Sequence, residues 1–331
     1  MSDTLDLAVV GAGPCGIAVG VAAAERQLRA VLFDRSCVTS SLVEYPYYMT
    51  FFSTAEKLEV GDVPFTIPDP KPTRREALAY YRRVVRQYVL DVRQYQEVVD
   101  VTGAEGDFEV RTRRRTGEEE VFRARAVAIA TGCFAGPNQL GVPGEALPKV
   151  LHHYHEPYPF FDQDVLVVGA GNSAVEAALE LYRNNVRVTL VHFLDQVDPG
   201  VKPWVLPDIK NRIEKNEIPV FWKHRVVRIE PSSVVLRAEE GGEVEIANDW
   251  VLALTGWHSD LRLMRALSVG VDGVSGIPTY DPRTMETDAP GVYVAGVVAA
   301  GHDANKIFIE NGREHGRLIV QSLLGKVATP R

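Results

Sequence analysis

The sequence predicts an α/β protein made of two Rossmann-like dinucleotide-binding domains, one inserted into the other, and three observations carry that expectation. A glycine string, Gly11, Gly13 and Gly16 with Pro14 and Cys15 between them, follows the apolar run Leu5 to Val10 and opens a helix of small residues. A second string, Gly169, Gly171, Asn172, Ser173 and Ala174, follows Asp164 to Val168 in the same way. Two further apolar runs end in Thr-Gly, at Thr131-Gly132 and Thr255-Gly256, and mark the two crossings between domains. Strand, glycine turn and helix in one unit separate a real fingerprint from a chance glycine pattern.

In chain order, the first glycine permits the tight turn out of the strand, the second lets backbone N–H groups reach a pyrophosphate, and the third lets helix and strand lie close. The pyrophosphate meets unpaired N–H groups and the positive end of the helix dipole. Arg29 to Phe33 reads as the next strand and ends in Asp34, about where an acidic residue accepts from a ribose hydroxyl. A free 2′-hydroxyl at this first site suits FAD, held by Gly11, Gly13, Pro14, Gly16 and Asp34.

Pro72 to Val92 has helical apolar spacing, while Gln96 to Val110 and Glu120 to Ile129 read as strands of a meander inserted in the first domain. The Pro- and Gly-rich stretch Gly136 to Pro148 is a linker. Residues 1–132 and 257–331 are therefore expected to form the FAD domain and 133–256 the nicotinamide domain. At the second site the strand Arg187 to Val191 ends in His192 and Phe193, without a carboxylate, so the simple NAD signature is absent. Arg187, His192 and Lys202 offer positive charge for a 2′-phosphate. The expected cofactor is NADPH, on Gly169, Gly171, Asn172, Ser173 and His192, with Thr255 and Gly256 at the crossing.

Composition narrows the class. With 331 residues, 46 % of them apolar, the chain can bury a core in each of two ordinary domains. A formal charge of −8 argues against nucleic acid as a partner. The run Arg113 to Arg115 reads as a solvated hairpin rather than a binding patch. No apolar stretch approaches membrane-spanning length and the N-terminus enters a strand too early for a cleaved signal, so a cytoplasmic location is expected. Three cysteines in a chain this long do not form a disulfide framework, which leaves any redox role to individual thiols.

The two fingerprints, the Ala130-Thr131-Gly132 crossing and the late strand Val292 to Gly296 resemble the two-dinucleotide flavoprotein reductases of the thioredoxin-reductase-like class, over nearly the whole chain. More narrowly, the chain resembles the bacillithiol disulfide reductase family in Gly11 to Gly16, Tyr45-Pro46, Met49 to Thr54, Glu56 to Glu59, Gly61 to Phe65 and Asn305 to Gly312. The resemblance implies an NADPH-consuming enzyme that reduces a low-molecular-weight thiol disulfide, with Cys15 as the functional thiol. It also implies flavin-side positions at Thr131, Gly132, Gly296, Asn305 and Lys306, and a homo-oligomeric, dimeric state. Two departures matter. Residues 133–168 hold only Cys133, so no dithiol relay to thioredoxin can be drawn, and Val297 stands where related reductases place an Asp after the late Ala-Gly.

Cys15 sits where a helix dipole lowers a thiol pKa and a pyrophosphate raises it, and it is also small enough to be a packing residue in the cradle. A mixed disulfide on it needs a resolving group, for which Cys133 is a better candidate than Cys37. His152, His153 and His155 lack a second ligand group at zinc spacing, so no metal is expected. His302 and His315 flank the segment Asn305 to Gly312 and read as capping or surface residues. Of Tyr45, Tyr47, Tyr48, Phe51 and Phe52, one or two are expected to wall a flavin and the rest to be core. Alternatives to the disulfide reductase are a flavin monooxygenase, suggested by Thr131 to Phe134, Pro143-Gly144 and the His-rich segment that follows, and a ferredoxin or flavodoxin reductase without cysteine chemistry.

Overall fold

The computed structural model describes residues 4–133 and 136–327. Its contacts divide into two units, Met1–Gly136 with His258–Arg331, and Pro137–Trp257, so the crossings lie at residues 136/137 and 257/258.

The first unit is built on a parallel sheet of five strands in the order Val292–Val294, Val127–Ile129, Leu7–Val10, Ala30–Phe33, Asp91–Arg93. Its inner strands are uninterrupted apolar runs because both faces are covered. Leu7, Ala8, Val9 and Val127 are fully buried. The helix Pro14–Glu25 carries the chain from the first strand to the second, and the C-terminal helix His315–Val327 crosses it closely. A Cβ on Gly316 would come within 2.4 Å of the Ala18 carbonyl oxygen.

Two sequence expectations change here. Pro72 to Val92 is not one helix: a capping box of Thr73 and Glu76 starts Arg74–Gln87, and Val89 at φ +50° ends it. Asp91–Arg93 then pairs with Val31 to Phe33. Gln96 to Val110 is likewise two strands, Gln96–Ala104 and Asp107–Arg114, because Gly106 at φ +92° turns the chain between them. With Glu119–Ala124 they form an antiparallel meander. Arg113 and Arg114 pair with Glu97, Glu118 and Glu120, and Arg115 lies over the Tyr95 ring.

The second unit repeats the plan. Its parallel sheet runs Val220–Trp222, Arg187–His192, Asp164–Val168, Trp250–Ala253, Val150–Leu151. The helices Asn172–Arg183 and Leu206–Glu214 share one buried cluster with this sheet, around Val165, Val167, Leu190 and Leu252. The antiparallel strands His224–Ile229, Ser233–Ala238 and Glu243–Ala247 share another, around Leu166, Val168, Val191 and Val251. Alternate residues of the same strands feed the two clusters, as the period of two in a strand requires.

Candidate functional site

In the first glycine turn each glycine has a distinct reason to be there. Gly11 has φ +111° and a Cβ on it would stand 2.4 Å from the Ala130 carbonyl oxygen. A Cβ on Gly16 would stand 2.0 Å from the Gly11 oxygen, so the helix cannot approach the turn with any side chain at that position. Gly13 has nothing within 4 Å of the same test atom, which leaves an open cradle above it. Pro14 takes the first helical position, where its missing N–H is no loss, and the next N–H groups have no partner inside the helix.

Asp34, buried at the end of its strand, accepts from the Ala12 N–H at 2.8 Å through one oxygen and from the Ser36 N–H at 2.8 Å through the other. It thus holds the glycine turn open from below. A carboxylate has about four acceptor positions, so capacity for a ribose hydroxyl remains. At the end of the neighbouring strand the Thr131 hydroxyl oxygen is buried with no hydrogen-bond partner. An open cradle, a carboxylate at the strand end and an orphaned buried hydroxyl fit a bound dinucleotide.

Cys15 lies on the inner side of this turn. Its sulfur would be 2.9 Å from a Cβ on Gly296 and 2.7 Å from one on Gly312, so two glycines make room for it. Burial pushes the Cys15 thiol up to about 12 and the Cys133 thiol up to about 11, so both are neutral at pH 7. Tyr45 lies within electrostatic range of both thiols, and burial raises its hydroxyl as well. Gly296, at φ +75°, donates its N–H to His315 Nδ1 at 3.1 Å. Burial lowers the His315 pKa, which keeps the ring neutral and Nδ1 an acceptor. His315 is therefore a built-in support for the Gly296 turn rather than the surface residue expected. Gly132 also takes a positive φ, +74°. Asn305 and Lys306 lie in an exposed turn, where Asp303 accepts from the Asn305 N–H at 3.1 Å and stands 3.8 Å from the Lys306 ammonium.

The aromatic expectation fails for three of five residues. Phe51 is buried and Tyr45 packs against it, with ring centroids 6.3 Å apart, but Tyr47, Tyr48 and Phe52 are exposed. They occupy a turn outside the helices and strands, and Arg74 rides on the Tyr47 ring at 5.1 Å.

The second unit repeats the turn with differences. Gly169 has φ +121° and a Cβ on it would stand 2.5 Å from the Leu254 oxygen, whereas Gly171 meets nothing nearer than Asp198 Oδ2 at 3.9 Å. Ser173 is exposed in the first helical turn. The Asn172 side chain binds the loop alongside, donating to the Gly200 carbonyl at 2.9 Å and accepting from the Lys202 N–H at 3.0 Å. Thr255 donates its hydroxyl to the Asn138 carbonyl at 2.6 Å and Gly256 accepts from the Asn138 N–H at 3.0 Å, which fastens the start of the unit to its end.

Of the three positive groups the sequence suggested, Lys202 donates its N–H to Asn172 at the start of the helix Asn172–Arg183 and His192 ends its strand, but Arg187 is out of place. Arg187 begins its strand, at the opposite end from the glycine turn, and is paired with Asp162 and Asp164 at 2.8 Å each. It cannot reach a 2′-phosphate. His192 does lie at the strand end, 6 % exposed, with neither ring nitrogen hydrogen-bonded, and burial lowers its pKa. The cation that does stand there is Arg225, whose guanidinium lies 4.6 Å from the Phe193 ring centroid. Nothing in the sequence flags Arg225. Glu176 was also missed, although its place five residues past Gly171 was readable: burial pushes its carboxyl up to about 7, against the pull of Lys202.

His153 sets its edge against the Trp257 ring at 4.6 Å and stacks with His155, while His152 Nε2 lies 3.6 Å from Glu145. Among the described residues no group of His, Cys, Asp and Glu could hold a metal ion, and no helix is long and apolar enough to cross a membrane.

The sequence profile of the pyridine nucleotide-disulphide oxidoreductases matches residues 8–296. The bacilliredoxin reductase Bdr of Bacillus subtilis (strain 168) is 40 % identical over 309 residues, 93 % of this chain and 94 % of that protein. The structure of the bacillithiol disulfide reductase Bdr (YpdA) from Bacillus cereus superposes with a TM-score of 0.94 at 38 % identity, covering 97 % of this chain and 99 % of the other. The corresponding protein from Staphylococcus aureus gives 0.90 at 36 % identity, covering 97 % and 98 %.

Proposed function

The chain belongs to the pyridine nucleotide-disulphide oxidoreductase family, whose members are oxidoreductases, and from that premise we propose that it is an FAD-dependent enzyme that uses NADPH to reduce a low-molecular-weight disulfide, bacillithiol disulfide. The observation that carries the reading is the pair of glycine turns, each closed by backbone at its first glycine and open above its second. In this reading the enzyme is a cytoplasmic homodimer.

When bound, the nicotinamide supplies a hydride and the flavin passes the electron pair on, so that two electrons and two protons convert the disulfide to two thiols. Gly13 and the first N–H groups of the helix Pro14–Glu25 hold one pyrophosphate, Asp34 accepts from the adenosine ribose, and the Thr131 hydroxyl finds its missing partner on the same cofactor. Gly171 and the helix Asn172–Arg183 do the same for the second pyrophosphate. Glu176, with a carboxyl near 7, is a group in the second unit that can hold or release a proton at neutral pH.

Cys15 is the thiol assigned to the substrate: its sulfur attacks one sulfur of the disulfide, the sulfur–sulfur bond breaks and the first thiol leaves with the Cys15 proton; two electrons and two protons would then cleave the mixed disulfide, releasing the second thiol and restoring the Cys15 thiol. Burial holds the Cys15 thiol protonated at neutral pH, so a proton must be drawn off as the disulfide arrives. That same observation favours a second reading, a ferredoxin or flavodoxin reductase that uses no thiol.

Steady-state NADPH oxidation by the flavin-loaded enzyme separates the two. Turnover with bacillithiol disulfide should exceed the oxygen-only blank and the rates with glutathione and coenzyme A disulfides, and Cys15→Ser and Cys15→Ala should fall to the blank. An undiminished rate in both variants removes Cys15 from the mechanism, and a faster reaction with a one-electron protein acceptor supports the second reading.

A further inference from the structure

The strand Arg187–His192 ends beside the second glycine turn, because the Gly169 N–H donates to the Val191 carbonyl at 2.9 Å. At this end stand a buried imidazole and an exposed guanidinium, both incomplete. His192 is 6 % exposed and neither Nδ1 nor Nε2 has a partner. Leaving a buried polar group unsatisfied is costly, and native structures keep such groups where something else completes them.

Arg225 is brought to the same place by tertiary structure. The Lys223 N–H donates to the Leu194 carbonyl at 3.0 Å, tying the start of the strand His224–Ile229 to the residues just past His192. The Arg225 guanidinium then sits over exposed Phe193, 4.6 Å from its centroid. The other arginines of this unit, Arg183, Arg187, Arg212, Arg228 and Arg237, each pair with a carboxylate. Among the described residues Arg225 pairs with none. An aromatic-backed arginine is preorganised for a two-point contact with an oxyanion, and on a nucleotide ribose the oxyanion that can take both arms of its fork is a phosphomonoester.

We infer that Arg225 and His192 form the recognition site for the 2′-phosphate of the nicotinamide dinucleotide, with Phe193 as the platform for Arg225. The inference rests on the second glycine turn being the nicotinamide-nucleotide site. Asp198 is the opposing charge: its Oδ2 borders Gly171 and its Oδ1 accepts from the Gly200 N–H at 2.8 Å. If the nucleotide lacked the 2′-phosphate, Asp198 would be the natural acceptor for its ribose hydroxyls, and Arg225 would have no function.

Calorimetric titration of the flavin-loaded enzyme with NADP⁺ and NAD⁺ tests this without turnover. The wild type should bind NADP⁺ more tightly by about tenfold or more, and Arg225→Gln should lose about that factor for NADP⁺ while NAD⁺ affinity stays within about twofold. Arg225→Lys should recover part of the preference, and His192→Phe should weaken NADP⁺ selectively. Unchanged NADP⁺ affinity in Arg225→Gln places the phosphate elsewhere, and a wild type with equal or stronger affinity for NAD⁺ overturns the assignment in favour of Asp198. Binding of neither nucleotide would overturn instead the reading of the second turn on which the inference rests.

Discussion

The two glycine turns share a spacing and differ in how they finish the job. In the first, the helix lies so close that Gly16 admits no Cβ, and Asp34 at the next strand end ties the turn through the Ala12 N–H. In the second, Ala174 occupies the equivalent helical position, no carboxylate closes the strand, and a buried, unpartnered His192 stands there instead. One turn is complete within about 25 residues of local sequence. At the other, the cation past the strand end is Arg225 over Phe193, which only the folding of a later segment brings in. A fingerprint therefore specifies where a pyrophosphate goes and leaves the ribose end to whatever the fold delivers.

The sharpest break of this comparison is at the third glycine position. Gly16→Ala puts a methyl 2.0 Å from the Gly11 backbone oxygen, which cannot swing aside, so a loss of about 3 kcal/mol and of flavin retention is expected by thermal melting and by absorbance of the purified protein. The reverse change in the second unit, Ala174→Gly, should cost only about 1 kcal/mol and leave the flavin spectrum unchanged. Equal losses at the two positions would erase the distinction.

Next in size is Asp34→Asn. The amide can accept from Ala12 or Ser36 but presents an NH₂ to the other N–H, so about 1–3 kcal/mol of stability should be lost, together with flavin affinity. No comparable change should follow His192→Phe, because that ring holds no internal hydrogen bond to lose.

A smaller effect is expected from pH. Burial lowers both His192 and His315 from 6.5, so as the pH falls below about 6.5 the unfolded chain takes up protons that the folded one refuses, and stability declines. Each ring contributes at most about 1.4 kcal/mol per pH unit. His315→Asn, which keeps an acceptor for the Gly296 N–H, should flatten the slope between pH 6.5 and 5 without a large loss at pH 8, measured by denaturant unfolding. An unaltered slope would mean that His315 takes up its proton alike in the folded and unfolded chains. The smallest effect is that of Arg187→Gln, which should leave NADP⁺ affinity unchanged, since Arg187 lies at the wrong end of its strand.

Much of the scaffold was readable before any coordinates. Apolar runs buried on both faces gave the positions of Leu7–Val10, Asp164–Val168 and Trp250–Ala253 to within two residues, since nothing but a covered parallel strand accounts for so many consecutive Val, Leu and Ala. The helix drawn through Pro72 to Val92 ran too far because Val89 takes a left-handed conformation that its residue type does not announce. Tyr47, Tyr48 and Phe52 were misjudged because an aromatic side chain reads as core in any sequence and only packing decides.

By itself the sequence determined the two strand–glycine–helix turns, the acidic strand end at Asp34 and the lack of one after His192, because these depend on neighbours in the chain and on whether a Cβ fits. Tertiary structure decided the rest: that Gly296 and Gly312 enclose Cys15 and hold it protonated, that Arg187 faces away, and that Arg225 arrives over Phe193. Such contacts join residues tens to hundreds of positions apart. Desolvation and charge pairing are set by what surrounds a group in space, and a local pattern of residues carries no record of that.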